Sequence, residues 1–170
     1  ITFPVVVNRE PFPHQAEAVD AWWKAGGRGV VVLPTGTGKT FTAILAIIRA
    51  GRSTLVVAPT LELVSQWRSE LGHSLGVAVG AVGGGERDWK DVTVITYDSA
   101  HLLVDHWGHR FGMIVFDEAH HLPGATYRHA ATGAIAPFRL AITATPERTD
   151  GGEHLMQSLV GPFVYRREIT

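Results

Sequence analysis

The sequence has 170 residues, enough for one globular domain with a core of its own, and 45 % hydrophobic against 18 % charged residues exclude wholesale disorder. Fifteen Lys plus Arg against sixteen Asp plus Glu leave a net charge of -1, so no global basic field announces nucleic acid and any such contact is local. The absence of Cys removes disulfide scaffolds, thiolate metal sites and Cys nucleophiles together, and no apolar run reaches the roughly 18 residues of a membrane span. The expectation is a cytoplasmic protein with no membrane partner. A first residue Ile1 in place of Met, and an end at Thr170 just after the run Phe163-Val164-Tyr165, lead us to expect that 1–170 is one domain of a longer parent.

In chain order, a helical pattern from Pro13 to Ala25 stops at Gly26 and leads into a β-branched run, Gly29 to Leu33. A second helical stretch, Lys39 to Ala50, stops at Gly51 before the run Thr54 to Ala58. A third, Leu61 to Leu71 with Gly72 as its stop, precedes a short run from Val77 to Val79. Gly83-Gly84-Gly85 followed by Glu86-Arg87-Asp88 reads as a solvated turn. The runs Val92 to Thr96, Met113 to Phe116 and Arg139 to Thr143 then alternate with helical stretches at Ser99 to Val104 and Tyr127 to Ile135. Strands that are apolar throughout are buried on both faces, so the predicted fold class is α/β, a mostly parallel sheet sandwiched by helices. Ligands of such sheets bind beyond the carboxyl ends of the strands.

Two such strand ends carry chemistry. Pro34-Thr35-Gly36-Thr37-Gly38-Lys39-Thr40 follows the first run and opens an apolar helix, in the manner of a nucleotide P-loop. Gly36 and Gly38 let successive backbone N–H groups converge on an anion, and the helix N-terminus adds about half a positive charge. Lys39 then reaches the β- and γ-phosphates and the Thr40 hydroxyl takes one position on Mg2+. The leading position of the general P-loop pattern is Leu33 here. The run Met113 to Phe116 ends in Asp117-Glu118. Adjacent carboxylates at a buried strand end argue for a metal or a pKa-shifted base. Asp117 is expected to hold Mg2+ through a water, and Glu118 to orient or deprotonate the water that attacks the γ-phosphate.

The set Leu33 to Thr40, Asp117-Glu118-Ala119-His120-His121-Leu122-Pro123 and Ile142-Thr143-Ala144-Thr145-Pro146 resembles the first RecA-like motor domain of superfamily 2 helicases, over about residues 9 to 161. Within them the chain is most similar to the XPB/Rad25 group of DNA helicases, through Pro59-Thr60 with Gln66-Trp67, Thr96-Tyr97-Asp98-Ser99-Ala100 and Ile135 to Leu140. The resemblance implies that Gln15 reads the adenine edge, with Phe12 standing where the family carries Arg. It implies that Pro59, Thr60, Thr96 and Tyr97 bind nucleic-acid phosphates through backbone N–H and hydroxyl groups. His120 takes the fourth letter of a DEAH box and counts with Lys39, Asp117 and Glu118 among the catalytic residues. The resemblance also implies that Thr143, Ala144 and Thr145 couple hydrolysis to movement, and Arg148-Thr149-Asp150 stands where the group has Arg-Glu-Asp. Trp67, at helical spacing from Leu63 and Val64, reads as core ahead of a base-stacking platform. His101, His106 and His109 read as surface or packing residues, and no zinc spacing is present.

The expected function is an ATP-hydrolysing motor, with ATP and Mg2+, that moves on or unwinds DNA, duplex or forked DNA ahead of RNA. Its arginine finger is expected from a second RecA-like domain of the same parent, and exposed apolar surface is expected near Thr143 and Val164. The alternatives are the motor subunit of a restriction or nuclease complex, and a nucleotide-switched binding module that does not unwind.

Overall fold

Strands that are apolar on both faces need a sheet covered twice. The computed structural model, which describes residues 3–4, 10–34, 38–119, 128–144 and 152–167, covers it with seven helices among those residues. In order the elements are α1 (Pro13–Lys24), β1 (Arg28–Val32), α2 (Lys39–Ala50), β2 (Thr54–Ala58), α3 (Leu61–Leu75), β3 (Gly80–Gly83), β4 (Glu86–Asp88) and β5 (Val92–Thr96). They continue as α4 (Tyr97–Leu102), α5 (Val104–Trp107), β6 (Met113–Asp117), α6 (Arg128–Thr132), β7 (Phe138–Thr143), α7 (Gly152–Leu159) and β8 (Phe163–Arg166). The strands form one sheet in the order β4-β3-β5-β2-β6-β7-β1-β8, parallel except for β4.

Side chains alternate across this sheet with the period of two that a strand imposes. Val31, Val56, Val94, Val115 and Ile142 join the core packed against α1, α2 and α3. Val30, Val57, Ile95, Phe116 and Ala141 join a second core, shared with α4, α5, α6 and α7. Buried Arg139 ties that second layer together. Its guanidinium donates to the carbonyls of Ala131 (2.8 Å), Ala134 (2.7 Å), Ala136 (3.1 Å) and Leu159 (3.0 Å), fixing the segment around α6 and the end of α7 to β7.

Helices α5 and α7 are not in the sequence expectation, α4 and α6 have other bounds than expected, and four further differences have a local reason. Helix α3 passes Gly72 and ends at Gly76 (φ 68°), because the buried pair Leu71 and Leu75 carries its apolar stripe one turn further. Strand β3 begins at Gly80 and not at Val77, since a Cβ on Gly80 would sit 2.1 Å from the Asp88 carbonyl oxygen of β4 and only glycine permits that approach. The turn at Gly84 (φ 58°) and Gly85 (φ 92°) closes a β3–β4 hairpin, and two consecutive positive-φ residues are what a two-residue hairpin turn requires. Finally, the Phe163-Val164-Tyr165 run pairs as β8 alongside β1, which leaves Val164 half-buried, while Thr143 is buried outright.

Candidate functional site

The carboxyl ends of β1, β6 and β7 meet at one rim, as the registers Val31↔Ile142 and Asp117↔Ile142 require. Strand β1 leads to this rim, and Leu33 N donates to Thr143 O at 3.0 Å, joining the residues after β1 to the end of β7. Gly38 (φ 78°) caps α2, and its carbonyl accepts from Thr42 N (3.1 Å), Thr42 Oγ1 (3.0 Å) and Gln15 Nε2 (3.1 Å). Lys39 and Thr40 therefore open α2, where the helix dipole favours an anion. Thr35, Gly36, Thr37, His120, Thr145 and the Arg148-Thr149-Asp150 stretch lie outside the described residues.

Strand β6 brings the acids to the same place. Asp117 is 2 % exposed, and its Oδ1 lies 3.2 Å from Lys39 Nζ. Glu118 also pairs with Lys39 through Oε1, so one ammonium bridges two carboxylates contributed 78 and 79 residues further along the chain. Glu118 adopts φ 51°, a left-handed conformation costing a non-glycine residue about 1–2 kcal/mol and found preferentially at functional sites. Burial alone lowers the Lys39 pKa, but Asp117 and Glu118 outweigh it and hold the ammonium above its ordinary range. A cleft of about 560 Å³ opens beside these groups, between the start of α2 and the flank of α3.

Two residues around Asp117 take roles that sequence reasoning missed. Trp67 is buried as expected for core, yet its Nε1 donates to Asp117 Oδ2 at 2.8 Å. Tyr97, expected to contact phosphate through its hydroxyl, is buried and donates that hydroxyl to Asp117 O at 2.8 Å. Its phenol is therefore withdrawn from any nucleic acid, and burial, reinforced by Asp117 and Glu118, pushes its pKa well above the usual value. The one available signal was a long side chain with a single polar atom in an otherwise apolar stripe, which does not identify its partner.

Gln15 is buried at the start of α1, where its Oε1 accepts from Phe12 N (2.8 Å) and its Nε2 donates to Gly38 O, so both ends of the amide join the phosphate loop to its supporting helix. Phe12 is 65 % exposed and stacks on His14. Thr60 and Thr96 cap α3 and α4, accepting from Leu63 N (3.2 Å) and Ser99 N (3.1 Å). The register Ala58↔Thr96 sets Pro59 and Thr60 beside Thr96 at the same end of neighbouring strands.

Fold and site together define a RecA-like P-loop domain of the superfamily 2 helicase type. Residues 8–148 match the family described as "Type III restriction enzyme, res subunit", and the chain belongs to that family. It is 44 % identical over 170 residues to "DNA 3'-5' translocase XPB2" of Sulfurisphaera tokodaii, covering 99 % of this chain and 38 % of the relative. It is 36 % identical over 178 residues to "DNA 3'-5' helicase XPB" of Mycobacterium tuberculosis, covering 95 % of this chain and 32 % of that protein. The chain thus spans well under half the length of the curated relatives it matches. Among solved structures, the helicase domain of Hef from Pyrococcus furiosus superposes with a TM-score of 0.75 at 25 % identity, over 93 % of this chain and 38 % of that one. UvsW of bacteriophage T4 superposes with a TM-score of 0.75 at 20 % identity, over 96 % of this chain and 36 % of that one, and shows the fold. Among the described residues no helix is long and apolar enough to cross a membrane.

Proposed function

We propose that this chain is the ATP-binding motor domain of a DNA helicase or translocase, hydrolysing ATP with Mg2+ to move on or unwind DNA. The observation that carries the reading is the convergence of Lys39, Asp117 and Glu118 on one cleft at the opening of α2. The first-turn N–H groups of α2 and the Lys39 ammonium bind the phosphates. Thr40 and Asp117 offer hard oxygen donors that suit Mg2+ and would hold it together with the nucleotide. The ion would supply charge neutralisation at the phosphates. Glu118 is tied to Lys39, and a γ-phosphate that draws the ammonium away frees this carboxylate to orient the attacking water and accept its proton. His120 and Thr145 belong to the same reading, which sets them beside Glu118 and Thr143.

Pro59, Thr60 and Thr96 share one end of the sheet and serve nucleic-acid phosphates through helix N-termini, a contact that fixes register without reading sequence. DNA is favoured over RNA by the names of the relatives. A second RecA-like domain of the parent supplies the arginine finger, worth about 10³ to 10⁵ in rate, so the 170 residues alone turn ATP over slowly. A cytoplasmic setting belongs to the same reading.

The test is ATP hydrolysis by the full-length protein with duplex, forked and single-stranded DNA and with RNA, using Lys39→Ala as the blank. DNA stimulation abolished in the variant supports a DNA motor. Lys39-dependent turnover indifferent to every nucleic acid overturns it in favour of a nucleotide-switched protein-binding module. The family description favours one second reading, a motor subunit that moves DNA toward a cleaving domain. ATP-dependent DNA cleavage by the full-length protein distinguishes it.

A further inference from the structure

Asp117 is held at both ends. Its backbone carbonyl accepts the Tyr97 hydroxyl, and its carboxylate is shared among three neighbours. Oδ1 accepts Glu118 N at 2.9 Å and lies 3.2 Å from Lys39 Nζ at the cleft, while Oδ2 accepts Trp67 Nε1 at 2.8 Å inside the protein. An indole N–H is one donor with no acceptor function, carried on a rigid ring with only two side-chain torsions, and this ring is 3 % exposed against the core of α3. It therefore holds Oδ2 at one place and in one direction.

The other fully buried indoles differ in what they grip. Trp22 Nε1 donates to Arg139 O and Trp107 Nε1 to Ala100 O, each at 2.9 Å. Those partners are backbone carbonyls, and such bonds staple the fold. Trp67 gives its single donor to the carboxylate that the proposed reading assigns to the metal, so its bond bears on the chemistry as well as on the packing.

We propose that Trp67 is a positioning residue for the ATPase reaction: its indole N–H blocks rotation of the Asp117 carboxylate and so leaves Oδ1 alone to face the metal and its water. The proposal rests on the reading of Asp117 as the carboxylate that serves Mg2+. Without the N–H, either oxygen can turn toward Lys39, and the carboxylate loses the orientation in which the ion is received. Partners that orient a metal ligand in this way typically affect metal affinity by about 10- to 100-fold.

Trp67→Phe keeps an aromatic ring and removes the donor. Equilibrium binding of ADP in EDTA and of ADP with Mn2+, the latter followed by electron paramagnetic resonance, separates metal-dependent from metal-independent affinity. The expected result is metal-free ADP binding within about twofold of wild type and a loss of about tenfold or more in the gain that Mn2+ confers. Asp117→Asn is the reference. If Asp117→Asn leaves the Mn2+ gain intact, the metal reading of Asp117 itself falls and the proposal with it. If Asp117→Asn removes the gain and Trp67→Phe does not, only the positioning role is overturned.

A second measurement does not depend on the folding of Trp67→Phe. Among the five tryptophan indole signals that the 170 residues contribute to a ¹⁵N–¹H spectrum, that of Trp67 is expected to be protected from solvent exchange and to move in Asp117→Asn. A Trp67 signal that exchanges freely and keeps its shift in Asp117→Asn overturns the proposal.

Discussion

Replacing Gln15 by Ala separates two roles that a single amide can play. In the structure Gln15 is 3 % exposed and makes two bonds, from Phe12 N to Oε1 at 2.8 Å and from Nε2 to Gly38 O at 3.1 Å. Each neutral bond contributes about 1 kcal/mol net, so Gln15→Ala is expected to lower unfolding stability by about 2 kcal/mol. Only the Gly38 bond bears on the phosphate loop, and about 1 kcal/mol corresponds to roughly a fivefold change in affinity. The loss acts on the cradle and not on the base, so ATP, GTP and inorganic tripolyphosphate should all weaken by that same factor in isothermal titration or in competition against a fluorescent nucleotide. An adenine-reading Gln15 produces a different pattern: ATP weakens alone, the preference for ATP over GTP collapses, and tripolyphosphate is untouched. That pattern would refute the assignment of Gln15 to the loop.

Three further outcomes are expected. Arg139→Leu leaves four carbonyls without their charged donor, and since each buried acceptor left unsatisfied costs about 1–3 kcal/mol, a loss of at least about 2 kcal/mol is expected from the urea midpoint; a loss under about 1 kcal/mol contradicts the role given to Arg139. Gly38→Ala meets both a positive φ and a Cβ position 2.2 Å from Gln15 Nε2, whereas Gly26→Ala meets a positive φ with nothing within 4 Å. The first is expected to cost more than the second's roughly 1 kcal/mol, and only the first to weaken nucleotide binding. At alkaline pH the folded state favours protonated Tyr97, because burial raises its pKa well above 10.0, and it favours protonated Lys39, whose pKa the two acids raise against the opposing effect of burial. Both contributions are fully present below the unfolded values of about 10 and 10.4 and disappear as pH rises through the higher folded ones. Stability should therefore decline above about pH 10, with one of the three tyrosines ionising at 295 nm only as the chain unfolds; complete titration of all three in the folded protein contradicts this.

Local chemistry made a large part of this protein legible in its sequence. The β-branched runs required a doubly covered parallel sheet, and Lys39 was legible as the start of a helix after Gly38. Adjacent acids were legible at the end of a buried strand, whereas their pairing with Lys39 was not. Each of the legible features follows from residues within one or two turns of one another, where backbone geometry dictates who can meet. The β3–β4 hairpin was visible only in part, because Gly83-Gly84-Gly85 announces a turn without stating that Glu86 to Asp88 will return against β3. Contacts between single polar atoms were decided by the tertiary structure alone. Trp67 and Asp117 are 50 residues apart, Gln15 and Gly38 are 23 apart, and Arg139 collects carbonyls from two helices and a turn. Hydrophobic periodicity reports which face of an element is buried; it carries no information on which buried donor will find which acceptor, since that depends on strand order and helix placement to within an ångström. Tyr97 shows the consequence, with a polar atom that local sequence would send to solvent and that the assembled sheet sends to Asp117.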